Sequence, residues 1–372
     1  MHPPRFDAAE LIRFLVDPSA AESLSPATEG PGVVVLDLAA TPAEAARLAE
    51  AELLEALPIL PCVTIAVGAD PDDLAGRALA QICDVQVDSD ESLSILLAGF
   101  EATPLAALAF AQLLRGAPRA SVHAGLVAES FVYSTLQAGP EFAAWRADWE
   151  ARRGRKGRKG RTVRAGRAGA KRVGALGASP QDAAEPACRL AREGDELSLT
   201  LSRPEKHNAF SAAMRDGVAE GLAVALADPG IQEVVLRGEG TSFCSGGDLD
   251  EFGSFPDPAR AHVIRTTRSP ALLLARLASR VRCEVQGACV GAGVELPAFT
   301  GRVIASEDAF FQLPEVALGL VPGAGGTVSL PARIGRQRTA WLGLSGRRID
   351  AQTALDWGLV DELRLGQHVT RR

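Results

Sequence analysis

Short, wholly apolar runs alternate with stretches of helical spacing along the first part of the chain. Residues 33–38 (VVVLDL) read as a buried strand, 62–69 (CVTIAVGA) as a second and 83–89 (CDVQVDS) as a third. Thr41 stands where a helix N-cap is expected, with Glu44 at the capping-box position. Residues 70–82 (DPDDLAGRALAQI) read as a further helix. Strands alternating with helices predict an α/β layer. From Glu91 to Arg115, and again from Val122 to Arg153, the pattern is helical.

The apolar period then stops. Residues 152–172 (RRGRKGRKGRTVRAGRAGAKR) are rich in Gly and Arg and offer no face to bury. Such a segment cannot offset its chain entropy, so residues 151–184 are expected to be a flexible linker. It separates an N-terminal α/β and helical region, 1–150, from a second unit, 185–372. In that unit residues 196–202 (ELSLTLS) and 232–240 (QEVVLRGEG) read as strands flanking an amphipathic helix over 211–228. Residues 279–290 read as strand and turn, 292–299 (AGVELPAF) as the start of a helix, and helices from Thr327 and Ala351 follow.

Composition narrows the classes. Hydrophobic residues make up 47 % of the 372, enough for a sizeable core, but aromatics are only 5 %, so that core rests on Ala, Leu and Val. The net charge is −7, with the positive charge gathered in the linker, which is no general nucleic-acid signature. The six Cys fall outside any C-x-x-C pair and are expected to be reduced thiols of a cytoplasmic protein. No signal pattern and no long uninterrupted apolar run occurs, so a membrane span is not expected. The five His form no H-E-x-x-H, Gly323-Ala324-Gly325-Gly326 lacks the Lys-Ser/Thr of a P-loop, and no G-x-S-x-G is present; no metal is expected.

The candidate chemistry lies in two glycine-rich turns. Ser242-Phe243-Cys244-Ser245-Gly246-Gly247-Asp248-Leu249 and Gln286-Gly287-Ala288-Cys289-Val290-Gly291-Ala292-Gly293-Val294-Glu295 both read as strand-to-helix turns. Backbone N–H groups at such turns point outward without partners and can receive an anion. Read singly, each is as readily a tight turn, the first capped by Asp248. Glu315 follows Glu295 by twenty residues, again beside a glycine-rich stretch.

Together these segments resemble the crotonase (enoyl-CoA hydratase/isomerase) superfamily. The resemblance runs over residues 195–363. It is carried by LSRPEKHNAFSAAM, SFCSGGDLDEF, QGACVGAGVEL, QLPEVALGLVPGAGGT and LSGRRIDAQTALDWGLVDEL, in that order. It implies a crotonase-like (ClpP/crotonase) α/β fold of repeated ββα units. It further implies backbone oxyanion donors at Gly247 and Ala292 and catalytic carboxylates at Glu295 and Glu315. Lys206, His207, Ala209, Gly246 and Asp248 would lie along the CoA and acyl path, and Pro322, Gly323 and Gly326 in a shaping loop. Coenzyme A would arrive as part of an acyl-CoA substrate, with no separate cofactor. Relatives of this kind form trimers or hexamers, so a homo-oligomer is expected, with neither membrane nor nucleic acid as partner.

The implied reaction is hydration of a 2-enoyl-CoA to a 3-hydroxyacyl-CoA, with Glu315 acting at the α-carbon and Glu295 on the water. The alternatives are double-bond isomerisation, for which one Glu suffices, or a catalytically weak acyl-CoA-binding protein of the same fold. Two departures stand out. Nine residues follow Leu363, where the family carries several dozen helical ones. Residues 101–118 and 124–153 resemble those missing helices and are expected to pack in their place, behind an α/β piece resembling a degenerate crotonase copy. Arg282 and Glu284 also stand in a strand where apolar residues are usual, which predicts a loosened or reshaped site.

Overall fold

The computed structural model describes residues 3–117, 121–159, 185–253 and 257–364. The N-terminal half runs β1 (Arg5–Phe6), α1 (Ala8–Leu15), α2 (Ala20–Ser23), β2 (Val33–Asp37), α3 (Ala43–Ala56), β3 (Val63–Val67), α4 (Leu74–Ile82) and β4 (Val85–Val87). Its four strands form one parallel sheet in the order β1-β2-β3-β4. Four helices follow: α5 (Asp90–Phe100), α6 (Pro104–Gly116), α7 (Val122–Gln137) and α8 (Pro140–Lys159).

Proline sets the breaks between these helices. Each helical stretch expected from the sequence is two helices, the second opened by Pro104 or Pro140. Proline fits the first turn because its missing N–H has no partner there anyway. At Pro104 the chain bends by 109°. α8 runs on to Lys159, into the expected linker; residues 160–184 of that linker lie outside the described residues. Thr41 does not cap α3, whose N-cap is Pro42. Its hydroxyl instead donates to the Asp37 carbonyl at 2.6 Å and accepts from the Ala8 N–H at 3.2 Å.

The C-terminal half runs β5 (Cys188–Glu193), β6 (Glu196–Leu201), α9 (Ala212–Ala227), β7 (Glu233–Gly238), α10 (Pro258–Thr267), α11 (Pro270–Leu277), β8 (Val281–Val285) and β9 (Ala288–Val290). It continues with α12 (Ala292–Glu295), β10 (Arg302–Ser306), β11 (Phe310–Gln312), α13 (Gly326–Ile334), α14 (Arg336–Ser345), β12 (Ile349–Asp350), α15 (Ala351–Trp357) and β13 (Glu362–Arg364). Six strands form a sheet ordered β13-β10-β8-β7-β6-β5, parallel except for the β5–β6 hairpin. A smaller sheet, β12-β11-β9, pairs β9 and β11 in parallel.

The two halves share a core. Side chains alternate faces along a strand, so Val33 and Val35 enter a cluster that continues into Leu199, Leu236 and Val294, while Val34 and Leu36 pack on α1, α3 and α4. Polar contacts add to the joint. Asp84, 1 % exposed, pairs with Arg115 of its own half at 2.6 Å and across the joint with Arg336 at 3.5 Å, and Arg336 also donates to the Cys83 carbonyl at 2.8 Å. All six cysteines are buried and free. No single helix among the described residues is long and apolar enough to cross a membrane.

Arg282 and Glu284 do not loosen the site. They alternate with buried Val281, Cys283 and Val285 and face outward. There Arg282 pairs with Glu196 at 3.0 Å and with Glu233, and Glu284 pairs with Arg364 at 3.2 Å. The charges form a ladder across the outer face of the sheet.

Candidate active site

Strand pairing brings the two glycine-rich turns together. Cys244 lies beside Cys289: the Cys244 N–H donates to the Ala288 carbonyl at 3.0 Å and the Val290 N–H to the Cys244 carbonyl at 2.9 Å. The turns after these residues are therefore neighbours. Gly246 (φ +92°) and Gly291 (φ +51°) occupy conformations that side chains disfavour, and a Cβ on Gly291 would lie 3.5 Å from the Gly246 Cα. Among the described residues the Gly247 and Ala292 N–H groups donate to no protein acceptor. Ala292 is the first residue of α12, a position without an intrahelical partner for its N–H.

The β9–β11 ladder joins the two carboxylates. Gln312 pairs with Val290, and the Gly291 N–H donates to the Gln312 carbonyl at 3.0 Å. Glu315, just beyond β11, thereby reaches the turn that leads to Glu295. The fit is close: a Cβ on Gly291 would sit 2.4 Å from Glu315 Oε1. Glu295 and Glu315 are 2 % and 8 % exposed, and both line a cavity of about 400 Å³ together with Gly247, Asp248 and Ala292.

Their surroundings differ. Glu295 Oε2 accepts from the Ala324 N–H at 2.7 Å and the Gly326 N–H at 2.9 Å. Glu315 Oε2 is buried and has no hydrogen-bond partner. Burial and the neighbouring Glu315 and Glu129 push the Glu295 pKa upward, while the two loop N–H groups oppose that shift. Burial pushes Glu315 up to about 8, with the charge of Glu129 adding to it. Donors aimed at an oxygen favour its ionised form. The two N–H donors thus favour the ionised form of Glu295, and the buried Oε2 of Glu315 has no such donor.

A third carboxylate comes from the N-terminal half. Glu129, on α7, accepts from the Gly325 N–H at 2.7 Å, the Thr327 N–H at 2.8 Å and the Thr327 hydroxyl at 2.7 Å. Successive N–H groups of residues 324–327 thus go alternately to Glu295 and Glu129. Burial pushes Glu129 up to about 7, against the pull of its Thr327 and Gly325 donors. Tyr133, one turn further along α7, lies against the same loop and lines the cavity.

The other residues expected along the CoA path have mixed positions. Asp248, 6 % exposed, lines the cavity and pairs with Arg203 at 3.0 Å and Lys206 at 3.4 Å. Burial disfavours its charge, but the two cations outweigh that and hold its pKa low. Lys206, His207, Ala209 and Gly246 surround this turn without lining the cavity. His207 Nδ1 lies 3.2 Å from the Ser242 hydroxyl, and the Ser245 N–H donates to the His207 carbonyl at 3.0 Å.

Residues 196–371 match the sequence model of the family described as Enoyl-CoA hydratase/isomerase. The chain is 36 % identical over 177 residues to 2,3-dehydroadipyl-CoA hydratase of Escherichia coli (strain K12), covering 47 % of this chain and 68 % of that protein. The chain belongs to the enoyl-CoA hydratase/isomerase family. It is also 37 % identical over 169 residues to 1,2-epoxyphenylacetyl-CoA isomerase of the same organism, covering 44 % of this chain and 64 % of that protein. A solved enoyl-CoA hydratase from Thermoplasma volcanium GSS1 is 34 % identical, with a TM-score of 0.44, covering 48 % of this chain and 72 % of that one. The chain therefore spans between 64 % and 68 % of the length of these two curated relatives. The enoyl-CoA hydratase/isomerase match excludes α7, yet α7 supplies Glu129 and Tyr133 to the cavity. The helical character of α7 is legible in the sequence, but the roles of Glu129 and Tyr133 are not. The one signal was a lone Glu in an apolar helical run. α10 and α11, which form the far wall, carried no strong pattern at all.

Proposed function

We propose that the chain adds water across the 2,3-double bond of a 2-enoyl-CoA thioester. The observation that carries this is the pairing of two unlike buried carboxylates in one cavity: Glu295 held by two loop N–H donors, Glu315 with its buried Oε2 unpartnered and shifted to about 8. Hydration needs a base for water and an acid for C2, and carboxyl groups whose environments differ can divide those roles.

In this reading the thioester oxygen accepts from the Gly247 and Ala292 N–H groups. Fixed donors of this kind stabilise the enolate charge with little reorganisation, each contributing on the order of 10²–10³ in rate. Glu295 presents its free Oε1 to a water. The water oxygen bonds to C3 while its proton passes to Glu295. The electron pair of the double bond moves toward the thioester carbonyl, and Glu315 delivers its proton to C2. A proton moving from Glu295 to Glu315 restores the pair. The Asp248, Arg203 and Lys206 cluster borders the path along which the CoA portion would lie.

The test follows enoyl-thioester absorbance with 2-enoyl-CoA substrates, wild type beside Glu315→Gln and Glu295→Gln. Hydration that both substitutions abolish supports the reading. Double-bond migration in place of hydration would favour an isomerase, and tight binding of CoA esters without turnover would favour a binding protein; either result overturns hydration.

A further inference from the structure

The cavity wall contains a cation that forms no direct salt bridge among the described residues. Arg265, on α10, lines the cavity beside α7. Its Nε donates to the Ser130 hydroxyl at 3.1 Å, and its Nη2 reaches the Ser130 carbonyl at 3.4 Å and the Ser134 hydroxyl. Its guanidinium carbon stands 4.5 Å from the centre of the Tyr133 ring. Every other arginine or lysine discussed at this site has an acidic partner. Arg215 and Arg268, which also line the cavity, both pair with Asp216, at 2.8 and 2.6 Å. Arg265 forms no ion pair among the described residues, and its Nη1 makes no hydrogen bond there.

Burial makes this costly. A guanidinium taken out of water loses solvation that neutral hydroxyls only partly replace. The desolvation is large enough to lower the Arg265 pKa. The charge of Glu129 opposes that shift only in part, and both its oxygens accept from Gly325 and Thr327 rather than from the guanidinium. Three neutral contacts instead hold the guanidinium in place: two serine hydroxyls from successive turns of α7 and the face of Tyr133. Such fixing, with Nη1 left free, suits a site that receives an anion, because a planar guanidinium pairs most strongly with a carboxylate.

We propose that Arg265 receives a carboxylate at the far end of the acyl chain, making the substrate a short dicarboxylic acyl-CoA. This rests on the acyl-CoA reading given above and adds the identity of the acyl group. The chain must be short because only the Tyr133 ring separates Arg265 from the loop that Glu295 holds. Tyr133 and Ser130 act as positioning residues for the guanidinium. The remaining wall, with Leu126, Val127, Ile264 and Leu272, suits the methylene carbons between the thioester and the carboxylate.

Binding and turnover test this separately. Calorimetric titration of the full chain with glutaryl-CoA and butyryl-CoA, saturated esters that differ by a terminal carboxylate, should show at least about tenfold tighter binding of glutaryl-CoA. That is the range expected for one charge-assisted pair in a buried setting. Arg265→Met should erase the preference, and Arg265→Lys should restore part of it. Equal binding of the two esters by wild type, or a preference that survives Arg265→Met, overturns the proposal. If Arg265→Met does not fold, as judged by its melting curve, the wild-type ratio and Ser130→Ala decide instead. The preference should shrink in Ser130→Ala because the guanidinium loses its anchor. A clear glutaryl-CoA preference without any turnover would remove the hydratase reading but leave this assignment standing. Turnover of both enoyl esters with equal kcat/KM would do the reverse.

Discussion

Replacing Glu129 by Ala should damage both stability and rate, although Glu129 lies in the half of the chain outside the family match. The substitution strips three donors of their acceptor: the Gly325 and Thr327 N–H groups and the Thr327 hydroxyl. Gly325 and Thr327 are buried, so water cannot simply take over. A hydrogen bond to a charged acceptor contributes about 1.5–3 kcal/mol, and unpaired buried groups keep their desolvation cost. Allowing for relaxation, the loss should be about 3–5 kcal/mol. With a denaturant slope of roughly 3 kcal/mol/M, the urea midpoint should fall by about 1 M or more. The same loop donates to Glu295 from Ala324 and Gly326, so releasing one side of it displaces the other. A displacement on the order of 1 Å at a reacting group can cost about 10² in rate. Urea unfolding followed by tryptophan fluorescence reads the first effect, and kcat for enoyl-CoA hydration reads the second. Glu129→Gln, which keeps one oxygen and the volume, should fall between. A Glu129→Ala protein whose urea midpoint and kcat both match wild type would refute the reasoning.

Gly291→Ala should abolish activity and destabilise the fold by about 1–3 kcal/mol, since its Cβ would lie 2.4 Å from Glu315 Oε1 at a φ of +51°; normal kcat in this variant would show that Glu315 has room to move without consequence. Stability should fall as pH rises from about 4.5 to 8. Glu129 and Glu315 have folded pKa values near 7 and 8, above their ordinary 4.5, so the folded chain keeps protons that the unfolded chain has released. Their contribution is complete below about 4.5 and is lost through 7–8, with a slope of up to ~1.4 kcal/mol per pH unit for each proton. Calorimetric Tm values that rise over this window would contradict the assignment. Arg115→Ala should cost about 3–5 kcal/mol by leaving the buried Asp84 charge with its Thr64 donors and only the longer Arg336 ion pair, and limited proteolysis should then cut the N-terminal half first; an unchanged urea midpoint would show that Thr64 and Arg336 suffice to hold the buried carboxylate.

The local sequence determined the elements whose signal is local. The runs VVVLD and VTIAV are strands because apolar β-branched residues bounded by turn formers have few other uses. Gly246, Gly247 and Gly291 marked the turns because those backbone conformations and close approaches demand glycine. Glu295 and Glu315 were legible because they stand beside such turns in a recurring order of motifs. Their meeting was not legible from either residue alone; it depends on β9 and β11 pairing in parallel, a contact between segments about twenty residues apart. Glu129, Tyr133 and Arg265 were out of reach for the same reason in stronger form. Beyond its place in an apolar helical run, nothing near Glu129 in sequence marks it for a buried role, and its partners Gly325 and Thr327 lie 196 and 198 positions away. Arg265 takes its character from having no direct salt bridge among the described residues, and that is defined only once α7 and α10 pack side by side. Short-range sterics write themselves into sequence. Burial, pKa and charge balance are sums over neighbours that only the tertiary fold brings within range.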